Sequence, residues 1–574
     1  METSRVCQFL LFFDMLGFSG IIGSSTAPQL SDKVIRGDLY HFQYSTNSKF
    51  SGDKFFCENE DFVWGLDGYI LNRIAIQIGY ANMEWSELVL QQYLKRQQSF
   101  VQELSGEFFG FIFNKKDKSI QLFNNATGSK SFHYYQDKEV FVFSAGPMVV
   151  KKHLDLLHIT TSFDEVSIAQ FLSYGYFINF GNLFKEIKKM YPAEIVRVSG
   201  NKIQTSNYRS FSNLDKFNSS EEVLLKEFDH IMTESVRLNF EKDRSENYQH
   251  YVTLSGGLDS RVTCMIGHQL GYTDQFNMCC SQANYDDHLT SQKIAHDLKH
   301  DYFFYPLDNP KHLMNPQEQV DENDGLVNYS GAAHIQHAIK SSLRSDHGLI
   351  QSGQLGDGIL GGFLSQNHRI SPDYKTGLLT DLFLSEFQTE FQNLTNDYKD
   401  EESFKLYTRG FQLNHNCFWL NEETSYYSSP FLNEDFLEFS MRIPDEYKFR
   451  EIFYVKWFQQ YQKSLTTYPW EYIHMKPDAM WKVKYARWIN YIRYAHKKYS
   501  KAVRLKNQMT PEDFWLRTVP ELGQSMKKSF EANYSGLPEN FPFQDKIKQY
   551  FEQGDFTQKT VVLTLLQAVA NSHS

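Results

Sequence analysis

The sequence predicts two unlike halves: a strand-rich α+β domain over residues 15–205, then an α/β domain over residues 215–574 whose carboxy-terminal part is helical. Three observations predict it. Strand patterns crowd the first 200 residues, strands alternate with helical spacing from about residue 210, and helical periodicity dominates after about residue 375. At 574 residues the chain is long enough for two large domains.

In the first half, Phe108–Phe113 and Ser119–Phe123 flank the polar turn Asn114-Lys115-Lys116-Asp117-Lys118 and read as a hairpin. Glu139–Ser144 and Glu194–Val198 read as further strands, while Ser86–Gln102 and Asp164–Leu172 have helical spacing. The start admits two readings. Arg5, the apolar run Phe9–Ile22 and Ser24-Ser25-Thr26-Ala27 have the pattern of a signal peptide, but Asp14 interrupts the run and favours a buried strand over Leu16–Ile22. Met15 offers a second start. Gly200, Asn201 and the polar stretch Ser212–Ser220 break the pattern between the halves.

The second half opens with a helix over Ser219–Asn239, capped by Ser219-Ser220-Glu221-Glu222. Strand-like Tyr248–Leu254, helical Arg261–Leu270, strand-like Phe276–Cys280 and helical Ala283–Leu298 follow. That alternation predicts a parallel sheet with helical crossovers. No internal repeat is visible.

Composition narrows the function. Hydrophobic residues at 41% and charged residues at 22% exclude a disordered or fibrous chain, and 49 Phe, 34 Tyr and 8 Trp supply a large core. The net charge of −11 disfavours a nucleic-acid binder, which needs clustered cations. Six cysteines without zinc spacing suit a reducing cytoplasm, and no apolar run reaches the 18 residues of a transmembrane helix.

The chemistry concentrates in Leu254-Ser255-Gly256-Gly257-Leu258-Asp259-Ser260, a strand end, a glycine turn and a helix start. Gly256 and Gly257 let backbone N–H groups approach an anion, Ser255 and Ser260 add hydroxyl donors, and the helix amino terminus adds positive potential. Asp259 beside phosphates calls for an intervening cation and reads as a Mg²⁺ ligand. The Gly-Lys-Ser/Thr of a Walker loop is missing, so the segment reads as a pyrophosphate loop.

This loop resembles the Ser-Gly-Gly-Leu/Ile-Asp-Ser signature of the asparagine synthetases and their relatives, the β-lactam synthetases and lasso-peptide cyclases. Ser352-Gly353-Gln354-Leu355-Gly356-Asp357-Gly358-Ile359-Leu360-Gly361-Gly362-Phe363 resembles the family's second motif, SGEGADELFGGY. Ser429-Pro430-Phe431-Leu432-Asn433, with Phe436-Leu437-Glu438-Phe439 and Pro444, resembles its PFLD segment. Upstream, Gly106–Phe113, Asn125–Lys130, Phe184–Ile187 and Tyr191-Pro192-Ala193 resemble parts of the family's class-II glutaminase half. The resemblance implies an Ntn-hydrolase-like αββα sandwich followed by an α/β pyrophosphate-loop domain of the adenine nucleotide α-hydrolase type.

It also implies a reaction. A carboxylate attacks the α-phosphate of ATP, pyrophosphate leaves, and an amine or ammonia converts the acyl-adenylate to an amide. Ser255, Gly256, Gly257 and Ser260 are then expected to hold pyrophosphate, Leu254, Met278 and Gly353 to contact adenosine, and Ser352 to belong to the same ATP-binding set. Asp259 and Asp357 are expected to bind Mg²⁺, and Lys456, a dozen residues after Pro444, to stabilise developing charge.

Departures matter as much. Leu16 stands where the glutaminase nucleophile should be, and Leu has no thiolate. Asp67-Gly68 replaces an Asn-Gly oxyanion pair, so glutamine hydrolysis is expected to be absent. Gln354 stands at a general-base glutamate and cannot accept a proton at neutral pH, so either another base such as Asp286 or Asp287 serves or the amine arrives already neutral. A genuine asparagine synthetase using ammonia and a non-catalytic nucleotide-binding homologue remain alternatives, as does a homodimer.

Near the end, residues 482–506 hold nine Lys/Arg and no acid. Trp481, Tyr485, Trp488, Ile492, Ala495 and Tyr499 repeat on one helical face. That stripe either packs on the core beneath a solvated basic face, or meets an anionic surface or an acidic partner.

Overall fold

The computed structural model describes residues 16–24, 30–31, 33–80, 82–499 and 509–573. Met15, most of the signal-like start and the end of the basic stretch (500–506) lie outside the described residues.

Twelve strands build two antiparallel sheets. The first contains β1 (Gly17–Ile22), β2 (Lys33–Gly37), β3 (Tyr40–Ser45), β8 (His133–Gln136), β9 (Phe141–Ser144) and β10 (Lys188–Lys189), in the order β10-β8-β9-β1-β3-β2. The second contains β4 (Phe55–Glu58), β5 (Phe62–Ile70), β6 (Gly106–Asn114), β7 (Ile120–Asn124), β11 (Glu194–Ser199) and β12 (Lys202–Asn207), in the order β12-β11-β7-β6-β5-β4. The hairpin expected around Asn114–Lys118 is β6–β7, with Phe113 opposite Ile120.

Both faces of the central strands are buried, so alternate residues enter different cores. On β6, Phe109, Phe111 and Phe113 point between the sheets to meet Phe18 and Phe42, while Phe108 and Ile112 point outward beneath α1 (Trp85–Arg96). On the far side, Ile21 and Val142 of the first sheet cluster with Val150 and Leu154 of α2 (Pro147–Leu156) and with Ile168 and Phe171 of α3 (Glu165–Tyr174). Helix, sheet, sheet and helix therefore stack as an αββα sandwich. The aromatic excess has its use here: Phe18 stacks on Tyr44 at 4.4 Å and meets Phe111 edge-on at 5.2 Å.

Five parallel strands follow: β13 (Gln249–Thr253), β14 (Gln275–Ser281), β15 (Asp301–Pro306), β16 (His347–Gln351) and β17 (Tyr427–Ser428), ordered β15-β14-β13-β16-β17. The crossover helices include α4 (Glu221–Ser245), α5 (Leu258–Gln269), α6 (Asp286–Leu298) and α7 (Ala333–Ser342). Helices supply most of the remainder, including α8 (Ile452–Gln460), α9 (Met480–Tyr499), α10 (Pro520–Tyr534) and α11 (Phe556–Asn571).

The two halves are bolted together. Asp53, fully buried, sits 2.7 Å from both Lys242 of α4 and Arg73, and also accepts the Ile70 N–H. Lys130 of the sandwich pairs with Glu422 at 2.5 Å.

α9 departs from the core-packing reading. Trp481, Tyr485 and Trp488 are 65%, 51% and 61% exposed. The helix instead buries Val483 and Ala486 and turns Arg487 inward onto Glu451 at 3.4 Å. Two small residues three apart allow close helix approach, and a paired arginine replaces apolar contact.

Candidate functional site

The site grows from the strand order. β13 is the first strand of the parallel sheet; the chain runs outward to β14 and β15, then returns to the other side of β13 as β16. Crossovers leaving in opposite directions open a crevice at the carboxyl ends of β13 and β16. A cavity of about 480 Å³ lies there, lined by residues of both following loops.

In the first loop, Ser255 N–H donates to Ser260 Oγ at 3.0 Å, and Gly257 N–H donates to Ser255 Oγ at 3.1 Å. These bonds set Ser255, Gly257, Asp259 and Ser260 along the cavity at the amino terminus of α5. That terminus presents unsatisfied amides and positive potential. Gly256 does something else. Its N–H donates to Asp287 Oδ1 at 2.7 Å and its carbonyl accepts from Arg261 at 3.1 Å, so it anchors the loop from behind instead of facing the cavity.

The second loop lies against the first. A Cβ on Gly353 would fall 2.3 Å from the backbone of Asp259 and Ser260, and one on Gly356 would fall 2.5 Å from Asp259 Cγ. Leu355 between them has φ of 69°, a left-handed conformation unusual for a bulky side chain and characteristic of strained sites. This approach lets Asp357 N–H donate to Asp259 Oδ2 at 2.7 Å. Leu254, Met278, Ser352, Gly353, Gln354 and Asp357 all line the cavity with the first loop.

Asp259 Oδ1 is shut off from solvent without a hydrogen-bond partner. Burial, reinforced by the neighbouring Asp357, pushes its carboxyl well above the usual carboxylate range. Glu451 is pushed to about 7, first by burial, with Arg487 opposing and Asp357 adding. An orphaned carboxylate oxygen facing a second aspartate suits a hard divalent cation. Among the described residues no three His, Cys, Asp or Glu side chains come together as a metal site, so Mg²⁺ would take two protein carboxylates and complete its shell with phosphate and water oxygens.

Lys456 is not at the site. It pairs with Glu221 Oε2 at 2.6 Å, on the side of α8 away from the cavity. The residue facing Asp259 is Tyr454, buried, whose hydroxyl is directed at that carboxyl and whose ionisation is pushed far up by burial and then by Asp259. Two residues along a helix turn about 200°, so only one of the pair can face inward. Choosing Lys456 weighed charge, whereas helical phase turns Tyr454 toward Asp259.

Asp286 and Asp287 are also displaced from the proposed base role. Asp286 pairs with His474 at 2.6 Å. Asp287 holds Gly256 and interacts with Glu471, whose carboxyl is pushed to about 8 by burial and then by Asp287. Neither aspartate lines the cavity. Glu451, Tyr454, Glu471 and the cavity-lining Arg409 belong to no motif; phase along α8 was the one signal available, for Tyr454.

In the sandwich, Asp67 Oδ1 accepts from Tyr44 Oη at 2.9 Å and Thr46 Oγ1 at 2.6 Å, and Leu16 directly precedes β1. Cys279, buried, and Cys280, half-buried, also line the cavity, but desolvation pushes both thiols up, so neither is a ready thiolate.

Residues 66–209 match the family model for a glutamine amidotransferase domain, so the sandwich is of that domain type. No curated protein matches the chain. Among solved structures, one described as the allosteric regulatory enzyme of purine biosynthesis is 9% identical, covering 53% of this chain and 78% of its own, with a TM-score of 0.23. The glutamine phosphoribosylpyrophosphate amidotransferase from B. subtilis, complexed with ADP and GMP, is 10% identical, covering 47% of this chain and 61% of its own, with a TM-score of 0.22. TM-scores this low carry no argument about function.

Proposed function

We propose that this chain is an ATP-dependent, AMP- and pyrophosphate-forming amide ligase of asparagine synthetase type that works without hydrolysing glutamine. Residues 15–205 are then a glutaminase-like domain without its nucleophile, and 215–574 the synthetase. The observation that carries the reading is Asp259 Oδ1, buried and unpartnered between two apposed glycine loops at a sheet switch point.

A carboxylate oxygen bonds to the α-phosphorus of ATP as the bridge to the β-phosphate breaks and pyrophosphate departs. An amine nitrogen then adds to the acyl carbon, loses a proton, and AMP leaves with the bonding electrons. Ser255, Gly257, Ser260 and the α5 amides hold the departing pyrophosphate, with Gly256 fixing the loop. Leu254, Met278, Ser352 and Gly353 flank adenosine. Asp259 and Asp357 would hold Mg²⁺, which neutralises charge on the leaving group when bound. Tyr454 keeps Asp259 aimed, and Gln354 offers an amide, not a base.

No helix among the described residues is long and apolar enough to cross a membrane, and the described cysteines are free thiols. A non-catalytic nucleotide-binding role is favoured by one observation: the acids lining the cavity are Asp259 and Asp357, which leaves no carboxylate for the amine's proton. Carboxylate-dependent exchange of labelled pyrophosphate into ATP separates the two. Exchange supports the ligase, and ATP binding without exchange supports the other role.

A further inference from the structure

Beyond the two glycine loops the cavity changes character. Ile335, Phe363, Leu413 and Met509 give it an apolar wall. Among the described residues that line it, Arg409 is the one side chain cationic at neutral pH; the acids there are Asp259 and Asp357 of the loops. His334 also lines it, but burial pushes that imidazole down to about 4, so it is uncharged at neutral pH. Arg409 is exposed to the cavity, and among the described residues no carboxylate pairs with it.

The backbone at Arg409 is placed by its helix. It lies in the π-helical segment Leu406–Asn414, whose wide turns also bring Leu413 and Asn414 to the cavity. The adjoining turn is tied to the sandwich by the buried Lys189, which donates to Asn416 at 3.1 Å. A guanidinium without an acid partner, beside a carboxamide donor, is suited to a planar anion.

We propose that this outer part of the cavity is the acyl-substrate subsite, and that it takes a monocarboxylate with an apolar body and no ammonium group. This rests on the ligase reading above. Arg409 receives the carboxylate, helped by Asn414, and relieves its repulsion from the ATP phosphates; it stays protonated while a carboxylate oxygen attacks the α-phosphorus and pyrophosphate leaves. An α-amino acid such as aspartate is disfavoured, because its ammonium group would enter an apolar wall with a guanidinium as its charged neighbour. Asparagine formation is then not the reaction.

Two pairs of acids test this, hexanoate against norleucine and 3-phenylpropionate against phenylalanine, with aspartate as a further ammonium-bearing acid. Each is offered with ATP and Mg²⁺ to wild type, Arg409→Gln and Arg409→Lys, and read by pyrophosphate exchange. The expected result is exchange with the apolar monocarboxylates and at least about 10-fold less with the ammonium-bearing partners. Arg409→Gln should raise KM for the acid about 10- to 100-fold and leave KM for ATP within about 2-fold, with Arg409→Lys between. Equal or better use of aspartate, or a rise confined to KM for ATP, overturns the proposal. Binding of 3-phenylpropionate, measured calorimetrically, distinguishes failure of the two readings. Arg409-dependent binding without exchange keeps the subsite and overturns the ligase, and neither binding nor exchange overturns both.

Discussion

Gly353→Ala is the sharpest test of how the two loops meet. The added methyl would fall 2.3 Å from the Asp259 carbonyl carbon and the Ser260 nitrogen, and 2.7 Å from Asp259 Cβ. Carbon atoms settle at about 3.5–4.0 Å, so the loops must part by about 1 Å. Two of the three nearest atoms are backbone in the first turn of α5, which cannot swing aside as a side chain would. Overpacking of this kind costs about 1–3 kcal/mol. The same parting stretches the 2.7 Å bond from Asp357 N–H to Asp259, which fixes the orphaned carboxylate. If all the strain falls on the liganded state, ATP affinity drops about 5- to 150-fold. Gly331 is the control: nothing lies within 4 Å of a Cβ there, so Gly331→Ala should stay within about 0.5 kcal/mol. Thermal midpoints and ATP binding are measured for both variants. Wild-type values for Gly353→Ala, or equal damage from Gly331→Ala, would refute the loop apposition.

Three further outcomes are expected. Lys456→Ala should leave pyrophosphate exchange within about 2-fold and Tyr454→Phe should reduce it about 10-fold or more; the reverse order would restore the lysine to the site. Burial raises the folded-state pKa of Glu471 to about 8 from 4.5, so the folded protein retains a proton that the unfolded chain loses. Stability from this group therefore falls as pH rises between 4.5 and about 8, and Glu471→Gln should gain thermal midpoint over wild type across that window; a difference independent of pH would show that the carboxyl is not shifted. Asp53→Asn strips the buried partner from Lys242 and Arg73, and should cost about 3–5 kcal/mol in denaturant unfolding; an unchanged midpoint would mean that this triad does not hold the halves together.

Much of the fold was legible because its signals were local. Phe108–Phe113 and Ser119–Phe123 flank a polar turn, and they are β6 and β7. Leu254–Ser260 carries a strand end, two glycines and a helix start within seven residues, and each takes the expected local form. The glycines of 352–358 pointed to close approach, and the Cβ clashes at Gly353 and Gly356 are its geometric content. What escaped depended on partners remote in sequence. Gly256 points to Asp287 and not the cavity because a residue 31 positions away offers a carboxylate. Lys456 and Tyr454 differ in phase on α8, which needs the burial of the whole helix to settle. The α9 stripe reads like a core face by period alone, yet Val483 and Ala486 hold the inside. Arg409 has no motif; only its place in the cavity singles it out.

The most direct measurement is Mg²⁺-dependent pyrophosphate exchange into ATP, with wild type and Asp259→Asn compared across the carboxylate panel. An AMP-forming ligase gives exchange that requires both a carboxylate and Mg²⁺, and Asp259→Asn loses it while retaining a wild-type or higher thermal midpoint, since the buried unpaired carboxyl is relieved. Absence of exchange with every carboxylate, or full exchange by Asp259→Asn, would contradict the assignment.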